Sequence, residues 1–131
     1  MGAKVAVVAV VAIAAFLVFR PTGSRADKVA NCLETSGATV TQTRLVQGGE
    51  GLPREIKRRL LEVEKRNYVV QLGDDSGLLI LVRSNGNADE VSLSLEDAEG
   101  PENVQRTGEF VMYWRTVPTD YSAGILARCL S

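Results

Sequence analysis

The chain has no histidine, only two cysteines and few aromatic side chains (5%), and its charges nearly cancel, with 15 basic against 16 acidic groups. Each shortage excludes a class of chemistry. Without histidine there is no Ser-His-Asp or Cys-His nucleophile system, and the commonest zinc ligand is missing. Cys32 and Cys129 lie far apart in sequence, so they cannot supply a four-thiolate metal site and lack the C-x-x-C spacing of a thiol-disulfide oxidoreductase. A net charge of −1 offers no bulk attraction for nucleic acid. The stretch "QGGEG" (47–51) has neither a Walker lysine nor the glycine spacing of a dinucleotide loop. The expectation is a non-enzymatic protein with no catalytic residue, no cofactor and no metal, and with no nucleic-acid partner.

What the chain has in abundance is one long apolar run. Residues 5–19 are apolar without a break, bounded by Lys4 and Arg20. As a helix this run would rise roughly 22 Å, short of a bilayer core of about 30 Å, and snorkelling by the two flanking bases extends its reach. Residues 1–26 are therefore expected to be a transmembrane anchor with its linker, contacting the membrane through residues 4–20. A cleaved signal peptide ending at Ala26 is the alternative, but Arg20 and Arg25 fit a cleavage region poorly. The positive-inside count sets Lys4 against Arg20, Arg25 and Lys28, which favours a cytoplasmic domain. The very short N-terminal tail and the cysteine pair favour the extracytoplasmic side, and a single-pass membrane protein with an extracytoplasmic domain is the expectation. Lipid anchors do not fit: Ala6 stands where myristoylation needs Ser or Thr, and Cys129 is third from the end.

Residues 27–131 read as one small α+β domain. "DKVANCLETSG" (27–37) has Val29, Cys32 and Leu33 on one helical face and Gly37 as a stop. "ATVTQTRLV" (38–46) is a polar, β-branched strand. Residues 52–66 carry Ile56, Leu60 and Val63 at i, i+4, i+7, with Pro53 in the first turn. Residues 67–86 form a hairpin about "GDDSG", and 87–100 read as a helix capped by Asn87. Residues 108–117 form a strand with Phe110, Met112 and Trp114 on one face, and 119–131 a helix capped by Thr119 or Asp120. Without the terminal helices the order is βαββαβ, the split βαβ of ferredoxin-like domains, with both internal helices on one sheet face. Because "LLILV" (78–82) is apolar at both parities, that strand should be covered on both sides, the second time by the terminal helices. Against this topology, the first strand should be central yet is unusually polar.

The segments "CLETSGATV" and "ILARCL", with the "MYW" strand between them, resemble small uncharacterised bacterial membrane-anchored or secreted α/β domains that carry one cysteine in each terminal helix. The resemblance spans most of the domain and implies no activity.

If both terminal helices share a sheet face, a Cys32–Cys129 disulfide can staple them, and an exported domain would meet the oxidising conditions it needs. The helix 52–66 bears Arg54, Lys57, Arg58, Arg59, Lys65 and Arg66 against three glutamates, whereas 87–102 bears Asp89, Glu90, Glu96, Asp97, Glu99 and Glu102 with no base. Contact of the basic helix with a polyanion is one reading; attraction between two neighbouring helices is the expected one. "GDDSG" (73–77) lacks the alternating spacing of a calcium loop and reads as a turn, and Asp74, Asp75, Glu96 and Asp97 read as surface. Trp114 is expected in the core, with Tyr113 under a terminal helix or in a groove. Two functions follow: a membrane-anchored domain acting through protein or envelope contacts, or a small-molecule-binding regulatory domain. A polar-lined pocket between the sheet and the terminal helices would favour the second, and a solid apolar seam the first.

Overall fold

A computed structural model describes residues 25–44 and 51–131. Four helices and a five-stranded antiparallel sheet make three layers: α1 Arg25–Thr35, β1 Thr39–Thr43, α2 Arg54–Val63, β2 Glu64–Leu72, β3 Asp75–Val82, α3 Asn85–Glu99, a 3₁₀ turn Pro101–Asn103, β4 Val104–Thr107, β5 Phe110–Trp114 and α4 Asp120–Leu130. The proposed membrane span, residues 4–20, lies outside the described residues. Among the described residues no helix is long and apolar enough to cross a membrane.

The α+β class and the layering agree with the sequence; the ferredoxin-like strand order does not. The sheet runs β1-β2-β3-β5-β4, with β1 at an edge and antiparallel to β2. A split βαβ would place β1 in the centre. The polarity of β1 is the physical reason: among its five residues Val40 alone packs against a core cluster, while Thr39, Thr41 and Gln42 are exposed. A strand with one apolar contact suits an edge, where half its backbone groups face solvent. The fifth strand, β4, has a single buried residue, Val104, within its four, which leaves almost no periodic signal for sequence reading to find.

Strand β3 is central and buried on both faces, with residues 77–82 all buried. Its alternation divides the core in two. Leu79 and Leu81 face α1 and α4, joined by Tyr68, Val70 and Leu72 of β2 and by Phe110, Met112 and Trp114 of β5. Leu78, Ile80 and Val82 face α2 and α3, joined by Val111 and Tyr113. Tyr113 therefore packs under an internal helix, not a terminal one, and its hydroxyl donates to Glu99 of α3 at 2.8 Å. Gly77 of β3, opposite Trp114 of β5, leaves no space for a side chain: a Cβ there would overlap the Tyr113 carbonyl oxygen and lie 3.0 Å from the Trp114 Cα and 2.6 Å from the Met112 methyl.

Helix boundaries shift in instructive ways. Helix α2 ends at Val63 and passes into β2 without a loop, so Glu64, Lys65 and Arg66 are strand residues, with a bulge between Glu64 and Arg66. Charged residues with high helix propensity hide that change from a reading by period. The cap of α3 is Ser84, whose hydroxyl accepts from the Asn87 N–H at 3.1 Å. Thr119 caps α4, accepting from the Ser122 N–H at 3.2 Å.

Candidate functional site

Three places on this framework can be weighed as a site. The first is the seam between the sheet and the terminal helices. Cys32 of α1 and Cys129 of α4 are bonded there, with Cα atoms 5.6 Å apart. The bond closes a loop of 97 residues in sequence separation, worth roughly 4–5 kcal/mol in the chain-entropy account. Around it Val29, Leu33, Ile125, Leu126 and Leu130 meet the aromatic residues of β2 and β5 in one buried apolar cluster. Two polar side chains at its margin are paired, while the Tyr68 hydroxyl is buried with no hydrogen-bond partner among the described residues. The Trp114 indole N–H donates to the Gln105 side-chain oxygen at 2.6 Å, and the Gln105 amide donates to the Ala123 carbonyl at 3.1 Å. The seam is a buried apolar cluster, and none of the hollows described below is lined by its residues.

The second place is a groove between α2 and α3 on the opposite face. About 560 Å³ in volume, it is bordered by Pro53, Ile56 and Arg59 on one side and by Val91, Ser94 and Asp97 on the other. The two helices of opposite charge do lie side by side, as the sequence implied, but among the described residues only one ion pair bridges them. Arg59 donates to Glu90 through Nε at 2.9 Å and to Glu62 on its own helix at 2.8 Å, and these carboxylates raise its pKa. Asp89 is turned instead towards Arg106 of β4. Arg54, Lys57 and Arg58 have no carboxylate partner among the described residues. They surround Leu61, which is half exposed. This mixed surface suits recognition by shape and charge.

The third place was not evident from the sequence. Beside the bulge at Lys65, a hollow of about 330 Å³ is bordered by Thr43, Arg44, Leu61, Glu64 and Asn67. Asn67 is 1% exposed and its amide donates to one oxygen of Glu64. The other Glu64 oxygen and the Asn67 carbonyl oxygen are buried with no hydrogen-bond partner among the described residues. Two unmet acceptors side by side call for a donor, since a buried polar atom without a partner costs about 1–3 kcal/mol. The available signal was weak, because Asn67 directly follows the charged residues Glu64, Lys65 and Arg66 and precedes the apolar part of the strand.

Asp75 also corrects an expectation. It is buried and accepts from the Thr119 N–H at 3.2 Å and from the Thr119 hydroxyl at 2.9 Å, tying the hairpin to the start of α4. Hydrogen bonding to Ser122, and then to the Thr119 backbone, holds its carboxyl below the ordinary range. Asp74 and Asp97 are exposed as expected; Glu96 is half-buried. The chain matches no protein-family model, no curated protein and no solved structure.

Proposed function

We propose that this is a single-pass membrane protein whose domain lies on the extracytoplasmic side and acts, without catalysis, through contacts with another protein of the envelope. The observation that carries the reading is the buried apolar seam closed by the Cys32–Cys129 bond. A bond of this kind persists in oxidising compartments. The stapled face is buried under α1 and α4, whereas the opposite face opens into a groove, which makes it the face offered for contact. The groove between α2 and α3, with Arg54, Lys57 and Arg58 beside Leu61 and without a carboxylate partner among the described residues, is the surface on which a partner with acidic and apolar groups would dock. The unbroken apolar run before Arg20 supports the anchor, and the resemblance to small bacterial anchored or secreted domains belongs to the same proposal.

The test is to express the full chain, isolate membranes, wash them with carbonate, block free thiols and weigh the intact protein. The expected result is an intact chain in the pellet with neither cysteine alkylated. A soluble product beginning at Asp27 would replace the anchor with a signal peptide. Two alkylated cysteines would place the domain in a reducing compartment.

A second reading, a small-molecule-binding regulatory domain, draws on the unmet acceptors of Glu64 and Asn67. It requires a ligand that donates hydrogen bonds, and a screen of small amines that leaves the Glu64 and Asn67 amide resonances unmoved would remove it.

A further inference from the structure

Charge is segregated along the strand direction. At one end of the sheet β2 and β5 begin and β3 finishes, with Arg66 opposite Leu81 and Leu81 opposite Phe110. Five exposed bases gather at this end. The Arg25 guanidinium lies 5.5 Å over the Phe110 ring and donates to the Leu130 carbonyl at 3.0 Å, Lys28 follows one turn along α1, and Lys65 occupies the bulge. Arg83 continues directly from β3, its N–H bonded to the Val63 carbonyl, and Arg44 follows β1 where Thr43 pairs with Asn67. Lys28, Arg44, Lys65 and Arg83 have no carboxylate partner among the described residues. Of the acids at this end, Asp27 pairs with Arg66, Asp89 with Arg106 and Glu90 with Arg59, while half-buried Glu64 and Glu109 also lie here and are outnumbered by the five exposed bases. The opposite end presents exposed Asp74, Asp97, Glu102 and Asp120, with Arg54 and Arg115 as the bases among them.

The chain enters the domain at the basic end, because Arg25 is the first residue of α1. Only residues 21–24 separate Arg25 from Arg20 at the close of the apolar run. Whatever its conformation, that connection spans at most about 18 Å. On the anchor reading, which this inference takes as its premise, the basic end is held within about two Debye lengths of the bilayer surface, where each Lys or Arg is drawn to anionic lipid.

We propose that the basic end of the domain, Arg25, Lys28, Arg44, Lys65 and Arg83, docks on anionic phospholipid headgroups. The groove between α2 and α3 then lies along the side of the docked domain, and the acidic end points away from the membrane. Tethering limits distance only; charge selects the orientation.

The experiment uses the full chain in lipid nanodiscs of phosphatidylcholine, alone or mixed with phosphatidylglycerol, doped with a headgroup-linked gadolinium chelate. In the anionic discs the amides of Lys65, Arg83 and Gly108 broaden more than those of Gly73, Asp74 and Arg115. In neutral discs, or in high salt, the contrast disappears. A variant carrying Lys28→Gln, Arg44→Gln, Lys65→Gln and Arg83→Gln, all at exposed positions, loses the contrast too, with the docked-to-undocked ratio falling roughly fivefold per charge removed. Equal broadening at both ends, or the same contrast in neutral discs, overturns the proposal. Flotation with neutral vesicles in high salt reads the anchor alone. A chain that floats there without contrast in the anionic discs keeps the anchor and overturns the docking. A chain that floats only with anionic vesicles in low salt, as wild type and not as the variant, keeps the docking and overturns the anchor. Flotation under neither condition overturns both.

Discussion

The two faces of the sheet are built from the same alternating strands and finished in opposite ways. The face under α1 and α4 buries Tyr68, Phe110 and Trp114 with a covalent bond across its helices. The face under α2 and α3 is aliphatic apart from Tyr113, keeps Ile56 only partly buried and opens into a groove. Among the described residues its helices are joined by one exposed ion pair, Arg59–Glu90, of a type that contributes little to stability. The difference teaches where rigidity is needed. The chain's two ends must be brought together over a long sequence separation at high entropic cost, and a disulfide offsets that cost by restricting the unfolded chain. The internal helices are held by short connections to their strands, so their face can remain incompletely filled and available for contact.

The largest expected effect breaks the staple. Replacing Cys129 with serine should lower stability by about 4 kcal/mol, read as a fall in the urea midpoint, and should abolish the sensitivity to reductant seen in the wild type. An unchanged midpoint would mean that packing alone holds the terminal-helix face.

Next come truncations on the two faces. Leu126→Ala and Leu95→Ala, both at fully buried positions, should each cost about 2–5 kcal/mol. In a Cys129→Ser background the two should part company. Leu95→Ala should add to the cysteine change within about 0.5 kcal/mol, whereas Leu126→Ala, on the stapled helix itself, should deviate by more. Equal additivity would erase the distinction between the faces.

A smaller effect belongs to the cap of α4. Thr119→Ala should cost about 1 kcal/mol by removing the acceptor for the Ser122 N–H. Asp75, which accepts from Thr119, has a lowered carboxyl pKa in the fold. Its contribution is therefore present above the unfolded carboxylate pKa and lost as pH falls through the lower folded value. Stability curves of wild type and Asp75→Asn should separate at neutral pH and converge as pH falls through the lowered folded pKa of Asp75. Curves parallel throughout the acid range would show that the carboxylate charge contributes nothing.

The smallest effect tests the loose face. Arg59→Ala should leave the urea midpoint unchanged within error, because both of its carboxylate partners are exposed.

How far the sequence could be read depended on how local each signal was. Ile56, Leu60 and Val63 announce α2, and the double parity of residues 78–82 announces a strand covered twice, because period and burial are written in neighbouring residues. The cysteine in each terminal helix pointed to their shared layer. Strand order was not legible, since pairing joins residues distant in the chain; the polar edge character of β1 was visible, and the ferredoxin-like topology conflicted with it. Asp75 was read as turn chemistry because its partner Thr119 stands 44 positions away. The hollow beside Lys65 depends on a bulge, which no periodic pattern records.

The Cys32–Cys129 bond has a mechanical consequence as well. A pull applied between the two ends of the domain travels along α1 to Cys32, crosses the sulfur–sulfur bond and leaves through Ser131. The sheet, both internal helices and the groove between them all lie inside the closed loop and carry none of that tension. A domain held at its N-terminus and tugged near its C-terminus would transmit the force through one covalent bond, while the surface it presents to a partner keeps its shape.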